Sequence, residues 1–309
     1  MGVSRAGERL AGAVSGEVRA KEPMSRHTTY RIGGPADLFI VVETLADLAR
    51  VTETLAEEDV PYAIVGKGSD VLVADAGYRG AVLVLGREFR RHEIDGEHLK
   101  AGAAVILAAL VQEAFRKGLA GMAFAVGIPG TLGGALAMNA GARGDAVGSL
   151  VESVTLYVPG EGMVRLRGAE VHWGYRASGL ARRGIILEGV LKARTGDPEA
   201  IRREMERNFK ARKESQPLSQ PSAGSVFKNP EGDSAGRLVE AAGLKGLRLG
   251  GARISRQHAN FIVNEGGATA ADVVGLIRKA QMTVRDVYGV ELRPEIRFLG
   301  SFEEQEAAD

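Results

Sequence analysis

Two glycine-rich stretches have the composition of anion-binding loops. The first, GKGSDV, occupies residues 66–71 after an apolar run, and the second, GIPGTLGGALAMNAGARG, occupies residues 127–144. Glycine has no Cβ atom, so its backbone can approach an anion closely and donate N–H groups. Taken alone, GKGSDV is more typical of a hairpin turn. Two such stretches in one chain favour a pyrophosphate group held by backbone amides.

The common nucleotide-binding fingerprints are incomplete in GKGSDV. The motif lacks the third glycine of a dinucleotide fingerprint and leads into VLV, which predicts a strand rather than a helix. A classical Rossmann site is therefore disfavoured. A Walker loop is excluded because Pro61 stands where that loop needs its first glycine. The pattern favours phosphate binding by amides, without lysine or Mg²⁺.

Ser225, in the stretch PSAGSVFKNP, could be a turn residue, a hydrolase nucleophile or a proton donor. A serine between a glycine and a strand is most often part of a turn or a cap. No G-x-S-x-G motif surrounds Ser225, which disfavours the nucleophile role. The histidines also carry no triad signature; they are His27, His92, His98, His172 and His258. From the residues alone, a turn remains the default role.

The elements that must position these stretches alternate between strands and helices in the first half of the chain. Residues 38–85 predict strand, helix, strand, glycine turn and strand, with Thr44 and Asp47 as a capping box and a helix end near Glu58. A second block predicts a strand and then a helix that Gly118 closes. SVTLYV, GMVRLRG and GIILEGVLKA then predict an antiparallel sheet.

The second half of the chain predicts helices with clear start signals. Asp197 and Pro198 begin a helix as N-cap and first helical residue. QPLSQPSAGS is rich in turn residues, so we place a domain boundary near residue 215. Beyond it we expect a short helix in SAGRLVEAAG, a strand in ANFIVNEG, a capped helix from Thr269 and a final strand in VELRPEIRFLG.

Composition excludes several functional classes. The 309 residues suffice for two domains, and a net charge of +1 gives no reason to expect nucleic acid or an acidic membrane surface. The absence of cysteine excludes disulfides, iron–sulfur clusters and thiolate nucleophiles, and fits a reducing cytoplasm. The N-terminal residues lack an apolar export signal, so we expect a cytoplasmic protein. Because the histidines are spaced singly, we expect no metal site.

One uncharged segment imitates a membrane span. It runs for 25 residues, from Gly118 to Ala142, which is long enough to cross a bilayer as a helix. It contains seven glycines and Pro129, however. Interior glycine costs a helix about 1 kcal/mol and proline about 3 kcal/mol, so we expect a loop-rich element and no membrane association.

Six motifs, in this order and spacing, resemble the UDP-N-acetylenolpyruvoylglucosamine reductase family. They are RIGGPAD, GKGSDVL, GIPGTLGGALAMNAGARG, YRAS, GSVFKNP and LRPEIRFLG, and the match covers about residues 24–300. The resemblance implies an α+β chain with a two-lobed FAD-binding fold of the vanillyl-alcohol-oxidase (PCMH) type and a C-terminal α+β substrate domain. It implies the shorter family branch, which lacks an extra substrate loop. Asp70 departs from the usual Asn, and we leave it out of the site.

The resemblance implies reduction of an enolpyruvyl ether, UDP-N-acetylglucosamine enolpyruvate, to UDP-N-acetylmuramate for peptidoglycan. Non-covalent FAD would carry a hydride from NADPH to the terminal carbon of the C=C bond. Arg176 would bind the substrate carboxylate, Glu295 would lie near the enolate, and Ser225 would give a proton to the α-carbon. By the residues alone, Arg176 is more typical of a surface arginine at a strand end, and Glu295 is equally an edge-strand partner of Arg293 or Arg297.

Further contacts follow from the same motif matches. We expect FAD to bind mostly to backbone atoms of Gly66, Lys67, Gly68, Ser69, Gly130, Thr131, Gly133, Gly134, Asn139 and Gly141. We expect Tyr30, Arg31 and Tyr175 to pack near the flavin ring or the pyrophosphate. We expect the UDP-sugar to contact Lys213, Lys228, Asn229, His258 and Asn260. The other basic residues around Lys213 are interpreted as a solvated helix face.

The expected domains are residues 1–85 as the first FAD-binding lobe, 86–214 as the second and 215–298 as the substrate domain. Residues 299–309 are expected to return to the first lobe. We expect a monomer that binds only small molecules. Two alternatives remain open at this point: an FAD-dependent alcohol or hydroxy-acid oxidase of the same fold, and a non-catalytic nucleotide-sugar binding protein.

Overall fold

The computed structural model of the protein describes residues 2–302. The predicted return of residues 299–309 therefore falls largely outside the described residues. The chain forms two compact units. Unit 1 consists of Met1–Arg19, Leu38–Gly66 and Gly80–Arg212, and unit 2 consists of Ala20–Asp37, Lys67–Arg79 and Lys213–Asp309.

Strands follow one another directly in several parts of the chain and pair mostly antiparallel, with helices between these groups, which makes the fold α+β. The helices are α1 (Gly2–Leu10), α2 (Leu45–Glu57), α3 (Leu107–Arg116), α4 (Leu132–Ala137), α5 (Leu180–Arg183), α6 (Pro198–Ser215), α7 (Ala235–Ala241) and α8 (Ala270–Tyr288). The strands before residue 130 are β1 (Val18–Pro23), β2 (Pro35–Val42), β3 (Tyr62–Ile64), β4 (Val71–Val73), β5 (Tyr78–Leu85), β6 (His92–Asp95), β7 (His98–Gly102) and β8 (Leu119–Ala120). The later strands are β9 (Gly141–Ala142), β10 (Asp145–Ala146), β11 (Val151–Val158), β12 (Gly162–Arg167), β13 (Ile185–Lys192), β14 (Arg194–Thr195), β15 (Arg248–Leu249), β16 (Ala252–Ile254), β17 (Ile262–Asn264) and β18 (Arg297–Leu299).

Unit 1 is built around a five-stranded antiparallel sheet of order β12-β11-β13-β7-β6. Helix α4 packs on β13 of this sheet, and Gly189 allows the close approach, because a Cβ atom there would lie 3.0 Å from Leu136 Cδ1. Leu132 and Leu136 are fully buried at this contact. The sheet therefore fixes the position of the second glycine-rich stretch, which contains α4.

A second sheet has the strand order β1-β2-β5-β3. Strands β1, β2 and β5 each contribute residues to both units. Strand β3 runs parallel to β5, with Ala63 opposite Val82, and ends just before GKGSDV. This arrangement is the strand–helix–strand unit predicted from residues 38–85, and it delivers the first glycine-rich stretch at a strand end.

Unit 2 packs α7 and α8 with the three-stranded sheet β15-β16-β17. Strand β18 pairs in parallel with β4, so that Phe298 lies opposite Leu72. The Asp75 carboxylate, just after β4, accepts the N–H groups of Ala270 at 2.7 Å and Ala271 at 3.0 Å, and so caps α8. Residues far apart in the chain thus form one core.

Start signals read from the sequence are confirmed at the predicted helices. Thr44 Oγ1 accepts the Asp47 N–H at 3.0 Å at the start of α2, which confirms the cap. The predicted capping box is not closed, because the Asp47 carboxylate accepts from Ser15 instead. Asp197 accepts the N–H groups of the second and third residues of α6. Thr269 and Asp272 form a reciprocal capping box on α8. These caps depend on neighbouring residues only, which explains why the sequence predicts them well.

Two local predictions differ from the structure. Residues 118–142, for which the sequence predicts a loop-rich element, contain the short helix α4, which Thr131 caps and which the sheet of unit 1 stabilises by burial. The final strand is shorter than VELRPEIRFLG, because pairing with β4 begins only at Arg297. Glu295 therefore lies two residues before the strand. Within residues 2–302, no helix has the length and apolar character needed to cross a bilayer.

Candidate active site

The GKGSDV loop is packed against the turn formed by residues 27–29 of unit 2. Gly68 has a φ of +60°, and a Cβ atom there would collide with the His27 carbonyl oxygen and lie 2.8 Å from Thr28 Cα. The Gly68 carbonyl accepts the Thr29 N–H at 3.0 Å. Only glycine meets both the backbone angle and the close approach.

Three consecutive amides of this loop are available to a ligand. Across residues 2–302, no protein group accepts a hydrogen bond from the N–H groups of Gly66, Lys67 or Gly68. Gly66 and Lys67 are exposed, whereas Gly68 is buried. Consecutive amides without protein acceptors are the donor set that suits a phosphate. This part of the predicted FAD site fits the cofactor's pyrophosphate.

The second glycine-rich stretch uses several of its amides within the protein. Leu132 and Gly133 donate their N–H groups to the carbonyls of Val105 and Ala103, both at 2.8 Å. The Gly134 N–H is directed to Thr131 Oγ1 at 3.3 Å. Gly66 lies against the same threonine, since a Cβ atom at Gly66 would be 2.6 Å from Thr131 Oγ1. The two glycine-rich stretches therefore meet at Gly66 and Thr131.

Asn139 is a buried residue with a φ of +44°, and its side chain joins two segments of unit 1. Its Oδ1 accepts the Gly148 N–H at 2.9 Å, and its Nδ2 donates to the Gly174 carbonyl at 2.9 Å. Gly141 begins the short β9–β10 ribbon. The Asn139 side chain thus holds the start of the YRAS segment, a role that the motif match did not indicate.

Arg176 lies in a tight turn that Asn139 helps to hold. Gly174 and Ala177 exchange backbone hydrogen bonds of 2.8 and 3.3 Å around it, and Arg176 has a φ of +54°. Its guanidinium carbon lies 5.1 Å from the ring centroid of Tyr175, which is 55% exposed. The attraction between a cation and an aromatic ring limits the orientations that the Arg176 guanidinium can adopt.

Arg212, on α6, belongs to a cluster of positive charge with Arg176 and Arg143. Burial lowers the pKa of Arg212, and the charges of Arg143 and Arg176 lower it further. Its Nη1 donates to the Gly127 carbonyl at 3.4 Å, next to the second glycine-rich stretch. A half-buried guanidinium with two further positive charges nearby favours an anion. The sequence interpretation places Arg212 on a solvated face, because helix periodicity does not show which cation is half-buried.

Ser225 and Glu295 are brought together by pairing between their segments in unit 2. The Glu295 N–H donates to the Val226 carbonyl at 2.7 Å, Phe227 forms an antiparallel bridge with Pro294, and the Lys228 N–H donates to the Arg293 carbonyl at 2.9 Å. Ser225 therefore directly precedes Val226, the residue that is hydrogen-bonded to Glu295. Both residues are partly exposed.

Asn260 fixes the other side of the Ser225 segment. Its backbone carbonyl accepts the Val226 N–H at 2.8 Å. Its side chain accepts the Phe227 N–H at 2.9 Å and donates to the Phe227 carbonyl at 2.8 Å. With 3% of its surface exposed, Asn260 has its polar atoms committed to this segment. The geometry gives it a supporting role in addition to the predicted substrate contact.

The other predicted substrate residues differ in exposure. His258 is half-buried, its Nδ1 accepts the Asn260 N–H at 3.2 Å, and its ring packs on Phe261. Burial, followed by the charge of Lys245, lowers the pKa of His258, so it is neutral at pH 7. Asn229 Oδ1 accepts the Ala235 N–H at 3.1 Å. Lys213 is exposed at the end of α6.

Tyr30 and Arg31 are adjacent in sequence but differ in environment. Tyr30 has no exposed surface, lies in the core of unit 2, and its hydroxyl has no partner among the described residues. Burial raises the pKa of Tyr30. Arg31 is exposed and has a φ of +56°. A contact of Tyr30 with FAD would be through its backbone.

Metal binding has no support in the part of the chain that the structure describes. No group of three or more histidine, aspartate or glutamate residues there could hold an ion.

Two family models match the chain in succession. An FAD binding domain matches residues 36–167, and the C-terminal domain of UDP-N-acetylenolpyruvoylglucosamine reductase matches residues 216–299. The first contains GKGSDV and the second glycine-rich stretch, and the second contains Ser225 and Glu295.

Relatives of known function match almost the whole chain. The UDP-N-acetylenolpyruvoylglucosamine reductase of Heliobacterium modesticaldum is 49% identical over 92% of this chain and 91% of its own length. The Bacillus subtilis reductase is 39% identical over 92% of this chain and 95% of its own length. The crystal structure of the Thermus caldophilus reductase superposes with a TM-score of 0.82 at 39% identity, covering 92% of this chain and 99% of that one.

Proposed function

The chain belongs to the UDP-N-acetylenolpyruvoylglucosamine reductase family, and on that basis we propose how its own residues perform the reaction. The protein is an FAD-dependent oxidoreductase, UDP-N-acetylmuramate dehydrogenase, that uses NADPH in peptidoglycan precursor synthesis. The α+β prediction, with an FAD-binding domain of the PCMH type and a C-terminal domain of this family, is confirmed. The shorter-branch form stays a prediction.

Bound FAD would supply the hydride transfer from NADPH to the enolpyruvyl C=C bond. The amides of Gly66, Lys67 and Gly68 hold its pyrophosphate in our proposal, supported by their lack of protein acceptors among residues 2–302. Ser69, Gly130, Thr131, Gly133, Gly134, Asn139, Gly141, Tyr175, Tyr30 and Arg31 remain predicted FAD neighbours. Among these, Thr131 and Asn139 also shape the backbone around the glycines.

Arg176 binds the substrate carboxylate in this proposal, and Arg212 adds a second positive charge. Negative charge spreads into the carboxylate as the hydride reaches the terminal carbon, so cations placed there stabilise the transition state more than the ground state. The burial of Arg212 beside the charges of Arg143 and Arg176 supports this role, because an anion offsets the cost of the charge on Arg212.

Ser225 donates the proton that completes the reduction. After hydride addition the α-carbon carries the negative charge, and a hydroxyl proton moves from Ser225 Oγ to that carbon. The serine oxygen then recovers a proton from solvent, through Glu295 or a water beside it. The observation that carries this proposal is the backbone pairing that holds Glu295 next to the Ser225 segment.

The UDP half of the substrate is assigned to the remaining predicted residues. Lys213 and Lys228 supply positive charge for the diphosphate, and Asn229 supplies an amide group. Asn260 supports the site by holding Phe227 with its side chain, and its substrate contact stays a prediction. His258 contributes a neutral ring, with its proton on Nε2 because Nδ1 accepts a hydrogen bond. We also propose a cytoplasmic monomer, which light scattering at working concentration would test.

A serine substitution separates the two half-reactions. In Ser225→Ala, we expect NADPH to reduce the flavin at the wild-type rate in anaerobic stopped-flow measurements. Reoxidation by the enolpyruvyl substrate should slow by roughly 10²–10⁴-fold, the range for loss of a general acid. Ser222→Ala is the matched control, because it removes a hydroxyl from the same loop, three residues away.

Two outcomes would contradict the assignment. Wild-type reoxidation in Ser225→Ala would remove the serine from proton transfer. If Ser225→Ala instead slowed only the reduction of bound FAD by NADPH, Ser225 would act in that half-reaction and not in proton transfer to the substrate. A wild-type reoxidation rate in Ser222→Ala would show that the loop tolerates the loss of a hydroxyl.

A further inference from the structure

The Thr29 side chain connects two loops of unit 2 that are distant in sequence. Its hydroxyl lies 2.7 Å from the Ser222 carbonyl and 3.2 Å from the Gly68 carbonyl. A hydroxyl has one proton, and the shorter distance assigns it to Ser222. Its backbone N–H already donates to Gly68 at 3.0 Å. Thr29 therefore bonds the GKGSDV loop through its backbone and the Ser225 loop through its side chain.

The Ser225 loop has anchors on both sides of the serine. Before it, the Ser222 carbonyl accepts from Thr29, and the Pro221 carbonyl accepts the Asn264 N–H at 2.9 Å. After it, Val226 is bonded to Asn260 and Glu295. Between the anchors lies Gly224, with a φ of +79° and open space around it. Glycine gives this segment a backbone freedom that the anchors must restrict.

We propose that Thr29 is a positioning residue for proton transfer, whose hydroxyl ties the Ser225 loop to the loop that binds the FAD phosphates. The inference rests on the proposed role of Ser225. A general acid works only when its proton lies within hydrogen-bond reach of the accepting carbon, and misplacement by about 1 Å can cost on the order of 10²-fold in rate. Thr29 acts on chemistry through the position of Ser225 and touches neither substrate nor proton.

Thr29→Val tests this role because it keeps the side-chain shape and removes the hydroxyl. We expect flavin reduction by NADPH within about twofold of wild type, and reoxidation by the enolpyruvyl substrate roughly 10- to 100-fold slower. Thr29→Ser keeps the hydroxyl and should restore the wild-type rate. Thr28→Val is the matched control, because Thr28 Oγ1 donates to the Ile32 carbonyl, at 2.9 Å, within its own turn.

Two readouts are independent of turnover. Hydrogen exchange of the holoenzyme should be faster in the peptide covering residues 222–228 in Thr29→Val, and unchanged there in Thr28→Val. FAD release on dilution, followed by recovery of flavin fluorescence, should be faster in Thr29→Val than in Thr29→Ser. A general loss of stability would instead affect Thr28→Val as well.

A double-substitution cycle separates this inference from the proposed function. If Thr29 acts through Ser225, Thr29→Val should add less than about twofold to the slow reoxidation of Ser225→Ala, because coupled residues are not additive. The Thr29 role would be overturned if the effects of the two substitutions on the reoxidation rate were fully additive. It would also be overturned if Thr29→Val reoxidised at the wild-type rate, or if Thr29→Ser reoxidised as slowly as Thr29→Val. Wild-type reoxidation in Ser225→Ala would instead overturn the proposed role of Ser225 as proton donor.

Discussion

Among single residues, the arginine cluster shows how much chemistry depends on surroundings. Arg202 and Arg212 belong to the same helix, yet the Arg202 side chain is 54% exposed and paired with Glu199 at 3.3 Å. Arg212 is half-buried near two other guanidinium groups. A desolvated cation binds an anion more strongly than an exposed, screened one. Of these two arginines, we therefore expect Arg212 and not Arg202 to affect substrate binding.

We predict that Arg212→Gln lowers kcat/KM for the enolpyruvyl substrate by about tenfold or more, the value of a hydrogen bond to a charged group. Arg202→Gln should leave kcat/KM unchanged. Steady-state kinetics at fixed NADPH would measure both variants. Equal kcat/KM values in Arg212→Gln and wild type would show that the Arg212 charge does not act on the substrate carboxylate.

Among the structural elements, the GKGSDV loop depends on the turn against which it packs. Gly68 and Gly96 both have positive φ angles, +60° and +54°, but only Gly68 is closely packed. At Gly96, between β6 and β7, a Cβ atom would have no heavy atom within 4 Å. Alanine is strained at both positions by about 1 kcal/mol or more. At Gly68 it must also displace the 27–29 turn and the amides of the loop.

The predicted result is a large difference in cofactor binding between two similar substitutions. Gly68→Ala should weaken FAD binding by about tenfold or more, because the loop amides move away from the phosphate. Gly96→Ala should lower the urea midpoint slightly and leave FAD affinity at the wild-type value. Fluorescence titration with FAD would compare them, and equal affinities would remove Gly68 from the cofactor site.

Over the whole molecule, the chain passes between the two units after residues 19, 37, 66, 79 and 212. The core of unit 2 therefore includes Tyr30, Ile32 and Leu72 as well as residues beyond 213. Strand β18 pairs with β4, and Asp75 caps α8. The C-terminal segment lacks these partners when it is separated from the rest of the chain.

We predict that a fragment of residues 213–309 does not fold cooperatively, although a family domain model matches most of it. Loss of Leu72 alone should cost about 2–5 kcal/mol, as for other buried leucines, and the fragment loses Tyr30 and Ile32 as well. Circular dichroism during urea titration should show no sigmoidal transition, with the full chain as control. A sharp transition in the fragment would show that residues 213–309 form a sufficient core.

The order of residues was enough to predict the family, the chemistry and the elements whose causes are local. Thr44, Asp197 and Thr269 cap helices because each side chain reaches an amide two or three residues away. The GKGSDV motif can also be recognised in the sequence, because Gly68 adopts a positive φ angle that favours glycine. The sequence was less successful at α4, where burial against β13 stabilises a helix in a glycine-rich stretch.

Which distant residues meet became known only from the packed fold. Thr29 and Ser222 are separated by 193 positions, and their hydrogen bond depends on how the segments of unit 2 pack. The pairing of Glu295 with the Ser225 segment and the clustering of Arg212 with Arg176 are likewise products of register and burial. Local patterns carry no information on such pairs, because the free energy that joins them comes from cores assembled from the whole chain.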